Sequence, residues 1–192
     1  MKELVFLLEG ESEKALLQAL LPRFLSAEIQ TRFIPFEGKQ DLERQLPGRW
    51  RGYLNPQARF VVIRDQDSAA DCKVVKQKLQ ALCSQAGRGA NSLIRIACRE
   101  IETIYLADLL AVEQAFGLTG LAKRQKSVKF KQPDRLGSPS RELGLLTKGA
   151  YQKVSGARRL GVCLDLGNER SATFKHLLNG IRRLEGELLA LP

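Results

Sequence analysis

Acidic residues follow several short apolar segments of this sequence. Glu9 follows the first of these segments, Asp65 and Asp67 follow the third, and Glu102 follows the fourth, while Glu13 stands four residues after Glu9. Carboxylates brought together repel one another unless a cation compensates them, and hard oxygen ligands favour Mg²⁺ or Mn²⁺. The pattern therefore predicts a site for one or two divalent cations.

A divalent cation in such a site performs a limited set of reactions. It polarises a phosphoryl oxygen, activates water and stabilises a leaving oxygen, so the site predicts phosphodiester chemistry. Gly10 would let the backbone turn sharply and approach a phosphate closely. A helix beginning near Ser12 would add its N-terminal amides as an anion site.

The elements that must position these residues are strands alternating with helices. Four strand-helix units in about 117 residues predict an α/β fold with a parallel four-stranded sheet flanked by helices. The carboxyl ends of parallel strands meet at one edge of the sheet, so the acidic residues are expected there. The predicted strands cover residues 4–8, 29–33, 60–63 and 93–98.

Helix boundaries are predicted from the punctuating residues. A short helix over residues 40–46 is expected to end at Pro47-Gly48, and a long one over residues 100–116 at Gly117. Residues 123–139 predict a loop, residues 148–166 give no firm assignment, and Ser171 is expected to cap a last helix reaching residue 189.

The length of 192 residues fits one domain. We expect residues 1–117 to form the α/β core. Residues 118–192 would be a basic, mostly helical C-terminal extension packed on the same domain.

The positive charge is unevenly distributed. The net charge of +10 divides into +1 for residues 1–113 and +9 for residues 114–192. Such an excess favours a polyanion partner, although a solvated basic surface is the simpler alternative. One aromatic residue, Phe130, is too few for base stacking. The residues expected to contact phosphates are Lys123, Arg124, Lys126, Lys129, Lys131 and Arg135.

Cysteine and histidine exclude other site classes. The four cysteines form no CxxC pair, which predicts free thiols in a reducing compartment and no zinc site. His176 is the only histidine, so a histidine-rich metal cluster is excluded and a Ser-His-Asp triad would depend on that residue. No signal peptide or membrane span is predicted, so we expect a cytoplasmic protein with no membrane partner.

Two motifs carry a resemblance to the TOPRIM superfamily. Residues 7–13, Leu-Leu-Glu-Gly-Glu-Ser-Glu, resemble its first motif in the form typical of the overcoming-lysogenization-defect (OLD) nucleases. Residues 62–67 resemble the second motif, an Asp-x-Asp after a strand. Residues 99–108 and 168–171 are similar to segments of small bacterial TOPRIM-like proteins that are poorly characterised.

The resemblance implies a metal-dependent nuclease. Glu9 would act as general acid/base or metal ligand, Asp65 and Asp67 would bind Mg²⁺, and Glu13 would help to hold a metal. Glu102 is added to the catalytic set by its position after the fourth strand.

The resemblance also implies partners. DNA is favoured over RNA as the substrate. OLD-type nucleases are fused to ATPases, whereas this chain has no G-x-x-x-x-G-K-[ST] motif, so a separately encoded ATPase subunit is implied, in phage defence or DNA processing.

Two alternatives remain. Residues 65–68 approximate the Asp-x-Asp motif of haloacid-dehalogenase-like phosphatases, with Asp65 as nucleophile and Asp67 as acid/base. That motif normally ends the first strand of its fold, whereas here a strand-helix-strand block precedes it. The second alternative is a non-catalytic nucleic-acid-binding or regulatory subunit that keeps the acidic site only as a metal-stabilised structural feature.

Overall fold

The centre of the protein is a sheet of four parallel strands. The computed structural model describes all 192 residues and places β1 (Glu3–Leu8), β2 (Gln30–Pro35), β3 (Ala58–Asp65) and β4 (Ser92–Ala97) in the order β2-β1-β3-β4. All six residues of β1 are buried, as expected for an inner strand of a parallel sheet covered on both faces. The prediction of an α/β fold with a four-stranded parallel sheet is confirmed.

Helices connect the four strands, and the chain after β4 forms only helices and turns. α1 (Glu11–Leu20), α2 (Lys39–Arg51) and α3 (Cys72–Gln85) make the three crossovers. No helix is both long enough and apolar enough to cross a membrane. The remaining helices are α4 (Thr103–Leu106), α5 (Leu109–Phe116), α6 (Val128–Lys131), α7 (Pro139–Leu146), α8 (Lys153–Cys163) and α9 (Ala172–Leu189).

The two faces of the sheet bury cores of unequal size. α2 and α3 cover one face with a cluster of 13 buried apolar residues that includes Trp50. The other face carries a cluster of 35, in which Phe6 and Val61 of the sheet share a core with Leu160 and Phe174. The C-terminal helices are therefore part of the main core.

The predicted end of α2 at Pro47-Gly48 is wrong. The helix continues to Arg51 and contains Pro47 in its interior. Leu42, Leu46 and Trp50 recur every four residues and are fully buried. Burial of this apolar stripe outweighs the hydrogen bond that proline cannot donate.

The region after β4 is also more divided than the sequence predicts. The single helix expected over residues 100–116 is two helices, because Asp108 interrupts it and caps α5 by accepting from the Ala111 amide at 3.1 Å. The predicted loop over residues 123–139 contains α6 and two short 3₁₀ turns. The unassigned stretch contains α8. Ser171 caps α9 as predicted, accepting from the Phe174 amide at 3.1 Å.

A glycine allows α8 to pack closely against α1. A Cβ atom added at Gly161 of α8 would lie 2.7 Å from the Ala19 side chain and 2.8 Å from the Leu16 carbonyl oxygen of α1. Such distances are far inside van der Waals contact, and a backbone carbonyl has little freedom to move. α1 and α8 therefore pack closely only because residue 161 has no side chain.

We expect Gly161→Ala to lower the free energy of unfolding by roughly 1–3 kcal/mol, the usual effect of overpacking a core. Urea unfolding measures it. Gly186→Ala is the matched control, since nothing lies within 4 Å of a Cβ at that helical position. Alanine there should raise stability by up to about 1 kcal/mol. Equal effects of both substitutions would contradict the role given to the α1–α8 contact.

Candidate metal centre

The end of β1 and the start of α1 supply two carboxylates to one edge of the sheet. Glu9 is half-buried immediately after β1, and Glu13 in the first turn of α1 is only 5% exposed. Gly10 between them has φ −162°, an extended conformation that any residue adopts. The chain bends at Glu9-Gly10 as expected, but the conformation of Gly10 does not require glycine. Its close approach to a phosphate stays a prediction.

Asp65 ends β3 beside Glu9. Its backbone amide donates a hydrogen bond to Glu9 Oε2 at 3.0 Å, and the residue is 8% exposed. The contact follows from the sheet register, in which Leu8 pairs with Ile63 and β3 extends two residues further. The structure thus brings the acidic residues that follow β1 and β3 into direct contact.

Asp67 lies in a loop held in an uncommon conformation. Asp67 and Arg99 both have positive φ, 53° and 60°. The Asp67 amide donates to the Arg99 carbonyl at 2.8 Å, and Arg99 Nη1 donates to the Asp67 carbonyl at 3.2 Å. Left-handed backbone costs about 1–3 kcal/mol at a residue such as arginine, and strain of this kind clusters at functional sites. The Asp67 carboxylate itself pairs with Lys39 at 2.8 Å.

Glu102 enters the cluster from beyond β4. It directly precedes α4 and is 1% exposed, and Tyr151 donates its hydroxyl to Glu102 Oε1 at 2.9 Å. Gly156 of α8 leaves room for the tyrosine, since a Cβ there would lie 2.5 Å from the Tyr151 ring. Glu102 is therefore held by a residue from the C-terminal part of the chain.

Glu100, two residues before Glu102, has a different partner. Its two carboxylate oxygens accept from the Ser140 amide at 2.7 Å and from the Ser140 hydroxyl at 3.0 Å. Ser140 lies in the first turn of α7, where acidic groups are favoured. Glu100 is thus a structural cap.

The clustered carboxylates disfavour one another's ionisation. Burial raises the pKa of Asp65 well above its usual value, and repulsion from Glu13, Glu9, Glu102 and Asp67 adds to the effect. Burial likewise raises the pKa of Glu9, against the hydrogen bond from the Asp65 amide, which lowers it. Burial also raises the pKa of Glu102. Asp65 and the four carboxylates that repel it therefore lie close enough to influence one another's ionisation.

Three oxygen atoms of this cluster have no hydrogen-bond partner. They are Glu13 Oε2, Asp65 Oδ1 and Glu102 Oε2, and all three are buried. An unpaired buried carboxylate oxygen costs free energy, and hard oxygen donors suit a divalent cation. The donor chemistry therefore fits Mg²⁺ or Mn²⁺. No group of three or more acidic, histidine or cysteine side chains is arranged to hold a metal ion. The carboxylates therefore do not form a finished coordination shell.

Lys153, at the first position of α8, is a residue that the sequence analysis missed. Burial lowers the pKa of its amine, but attraction to Glu102, Asp65, Glu100 and Glu13 outweighs burial and raises it. The ammonium group is therefore a cation of the cluster. No sequence signal pointed to it, since it lies in a stretch with no clear periodicity.

The six basic residues predicted to contact nucleic acid lie on the surface beside α4. All six are exposed, and only Lys129 forms an ion pair, with Glu142 at 2.6 Å. Phe130 is buried beneath them and cannot stack on a base. Asp134, within the segment, accepts from the Thr103 hydroxyl at 3.1 Å and from the Ala172 amide at 2.6 Å. The segment is thus fixed one residue away from Glu102.

Comparisons with known proteins give one finding. A family model described as a domain of unknown function (DUF4276) matches residues 8–182, which includes every carboxylate of the cluster. Neither a curated protein nor a solved structure matches the chain.

We expect Asp65→Asn to stabilise the metal-free protein by roughly 1–2 kcal/mol near neutral pH, because the amide carries no charge for the neighbouring carboxylates to repel. The folded protein has the raised pKa, so it binds a proton that the unfolded chain releases. Wild-type stability must then fall as pH rises through the folded pKa.

The measurement is urea unfolding in chelator between about pH 5 and about pH 8. The advantage of Asp65→Asn should grow with pH, whereas Glu28→Gln, at an exposed position, should follow the wild type. A variant less stable than wild type at the upper pH would refute the proposed carboxylate repulsion.

Proposed function

Because the chain belongs to the DUF4276 family of domains of unknown function, the family supplies no reaction, and we propose from the site itself that this protein is a Mg²⁺- or Mn²⁺-dependent phosphodiesterase acting on nucleic acid. The proposal is carried by the three buried, unpaired oxygens of Glu13, Asp65 and Glu102. Native proteins rarely leave such groups unsatisfied without a functional reason.

The acidic residues would hold the ion from two positions, one buried and one more exposed. Glu13, Asp65 and Glu102 would hold it from inside the cluster, with Glu9 and Asp67 at the more exposed side. A bound divalent ion supplies charge compensation and polarisation of a phosphoryl oxygen. The Asp67 carboxylate, which pairs with Lys39, is partly exposed and would be accessible to a substrate.

Glu9 has the properties of a general acid/base. One of its oxygens is fixed by the Asp65 amide at 3.0 Å, and the other accepts from no protein donor. Its raised pKa brings proton uptake and release closer to neutral pH, as acid-base catalysis requires. Glu9 can thus take the proton of an attacking water and return it to the leaving oxygen.

Lys153 and Tyr151 support the acidic residues. The Lys153 ammonium group balances part of the negative charge of the cluster and is available to a phosphate that enters it. The Tyr151 hydroxyl donates to Oε1 of Glu102 and so fixes the orientation of the carboxylate. The other oxygen, Oε2, has no hydrogen-bond partner. Both residues come from one segment, so the C-terminal part of the chain contributes to the site.

Charge supports nucleic acid as the substrate. Five of the six exposed basic residues between positions 123 and 135 have no acidic partner, and the segment is fixed beside α4. Cations of this kind bind phosphates without reading bases. The resemblance to OLD-type nucleases favours DNA, and it supports a separately encoded ATPase subunit as partner in phage defence.

A second candidate function has one observation in its favour. Lys39 and Lys153 already lie near the carboxylates, so the acidic site can be partly neutralised by the protein itself. A non-catalytic nucleic-acid-binding subunit would need no more than that. The phosphatase alternative is less favoured, since its nucleophile Asp65 is 8% exposed and surrounded by other carboxylates.

Metal binding should raise thermal stability. Mn²⁺ at a hundred times its dissociation constant should stabilise the wild type by about 2.7 kcal/mol, because it binds only the folded site. Asp65→Asn and Glu102→Gln should lose most of this gain, whereas the exposed control Glu28→Gln should keep it. Differential scanning calorimetry with and without Mn²⁺ makes the test. An equal gain in all four proteins would place the ion elsewhere.

Cleavage should depend on the same residues. Wild-type protein is expected to nick supercoiled plasmid in Mg²⁺ or Mn²⁺, and Glu9→Gln should lower the rate by roughly 10²–10⁴-fold through loss of proton transfer. Asp65→Asn should abolish nicking, and Glu28→Gln should not affect it. If no nicking occurs while plasmid binding persists, the non-catalytic function replaces this proposal.

A further inference from the structure

A second concave surface lies along β4, the edge strand, where α3 and α9 pack beside it. This cleft has a volume of about 310 Å³, within the range of ligand sites. Its lining contains three lysine or arginine residues and the only histidine, and no aspartate or glutamate. The residues that line it and carry the argument are Lys73, Lys76, Arg95, Cys98, Thr173 and His176.

Arg95 is the most deeply placed cation of the cleft. The half-buried guanidinium donates to the His176 carbonyl at 2.9 Å and to the Ile94 carbonyl at 3.1 Å, and it has no carboxylate partner. Gly180 of α9 makes room for it, since a Cβ there would lie 2.7 Å from Arg95 Nη2. Burial and repulsion from Arg183 lower its pKa, as expected for an uncompensated cation.

The two lysines of the cleft are also without acidic partners. Lys73 and Lys76 lie one turn apart on α3, and neither forms an ion pair. Other basic residues nearby do: Lys78 of the same helix pairs with Glu43 at 2.5 Å, and Lys175 pairs with Glu169 at 2.8 Å. The cleft therefore concentrates unpaired positive charge.

The attraction for anions comes from these side chains and not from the start of α9. The Ala172 and Thr173 amides donate to Asp134 at 2.6 and 3.3 Å. The Phe174 amide is satisfied by Ser171. No free amide of this helix end is left for a ligand.

One end of the cleft lies next in the chain to the residue that contacts the Asp67 loop. Cys98 at its upper end directly precedes Arg99, whose side chain holds the Asp67 loop. Arg95 lies three residues earlier on β4, which corresponds to roughly 10 Å along a strand. Counted from Arg95 to Cys98, that length equals about three nucleotides at the axial spacing of one strand in a duplex.

We propose that the cleft along β4 binds backbone phosphates of the nucleic-acid strand whose reacting phosphate lies at the acidic site. The planar guanidinium of Arg95 matches a phosphate, and the lining has no phenylalanine, tyrosine or tryptophan to form a stacking platform for bases. Binding is therefore to the backbone and independent of base sequence. The inference rests on the proposed function for the direction of the strand.

The test is fluorescence anisotropy of a labelled single-stranded oligonucleotide in chelator, over a series of salt concentrations. Lys73→Gln/Lys76→Gln removes two exposed or half-buried cleft charges without touching the core. It should weaken binding about 10-fold and make the slope of log K against log salt shallower by roughly 1–2.

The matched control is Arg49→Gln/Arg51→Gln, which removes two exposed charges at the far end of α2. This control should bind as the wild type does. Equal loss of binding in both double variants would show an effect of net charge alone and would overturn the proposed phosphate site. Unchanged binding in the cleft variant, or no salt-dependent binding in the wild type, would also overturn it. A mononucleotide bound as tightly as the oligonucleotide would overturn the strand path.

Plasmid nicking by the same variants separates this inference from the proposed function. If the cleft variant loses oligonucleotide binding but the wild type never cleaves in Mn²⁺, the cleft stands and the phosphodiesterase activity fails. If the wild type cleaves and the cleft variant binds and cleaves equally well, the activity stands and the cleft fails.

Discussion

Repulsion among the carboxylates at the carboxyl edge of the sheet is an unfavourable interaction that the surrounding residues must offset. Glu9, Glu13, Asp65 and Glu102 come from three different parts of the chain and share one desolvated space. The protein offsets part of the cost through a backbone amide, a tyrosine hydroxyl and Lys153. Three oxygens are left unpaired, and the proposed divalent cation would offset the free energy that this costs.

The packing of the C-terminal helices is what completes this site. α8 can approach α1 closely because Gly161 faces Ala19 and Leu16. That contact places Lys153 and the preceding Tyr151 beside the carboxylates carried by α1 and by the residues after β4. The same helices share a core with β1 and β3, so the stability of the fold and the geometry of the acidic site depend on the same contacts.

Positive charge surrounds the acidic site on two sides with different structural character. The segment around α6 displays exposed side chains above the buried Phe130, whereas the cleft along β4 holds a half-buried guanidinium against Gly180. Exposed lysines contribute long-range attraction that salt screens strongly. A guanidinium fixed by two backbone carbonyls is preorganised and loses less entropy when it binds an anion. Together they supply the unpaired positive charge that the proposed polyanion substrate requires.

The sequence alone determined the sheet, its strands and the acidic residues at their ends, because apolar periodicity and the common edge of parallel strands are local rules. It also placed the N-cap at Ser171. It could not place Tyr151 or Lys153, since their role arises from the contact between α8 and α1, far apart in the chain. The sequence predicted that α2 ends at Pro47, but the helix continues so that Trp50 is buried. That burial is a tertiary effect, which the local signal of proline does not contain. Which carboxylates are buried together, and which cations remain unpaired, is decided only by the folded structure, because burial and pairing depend on neighbours that the linear sequence does not specify.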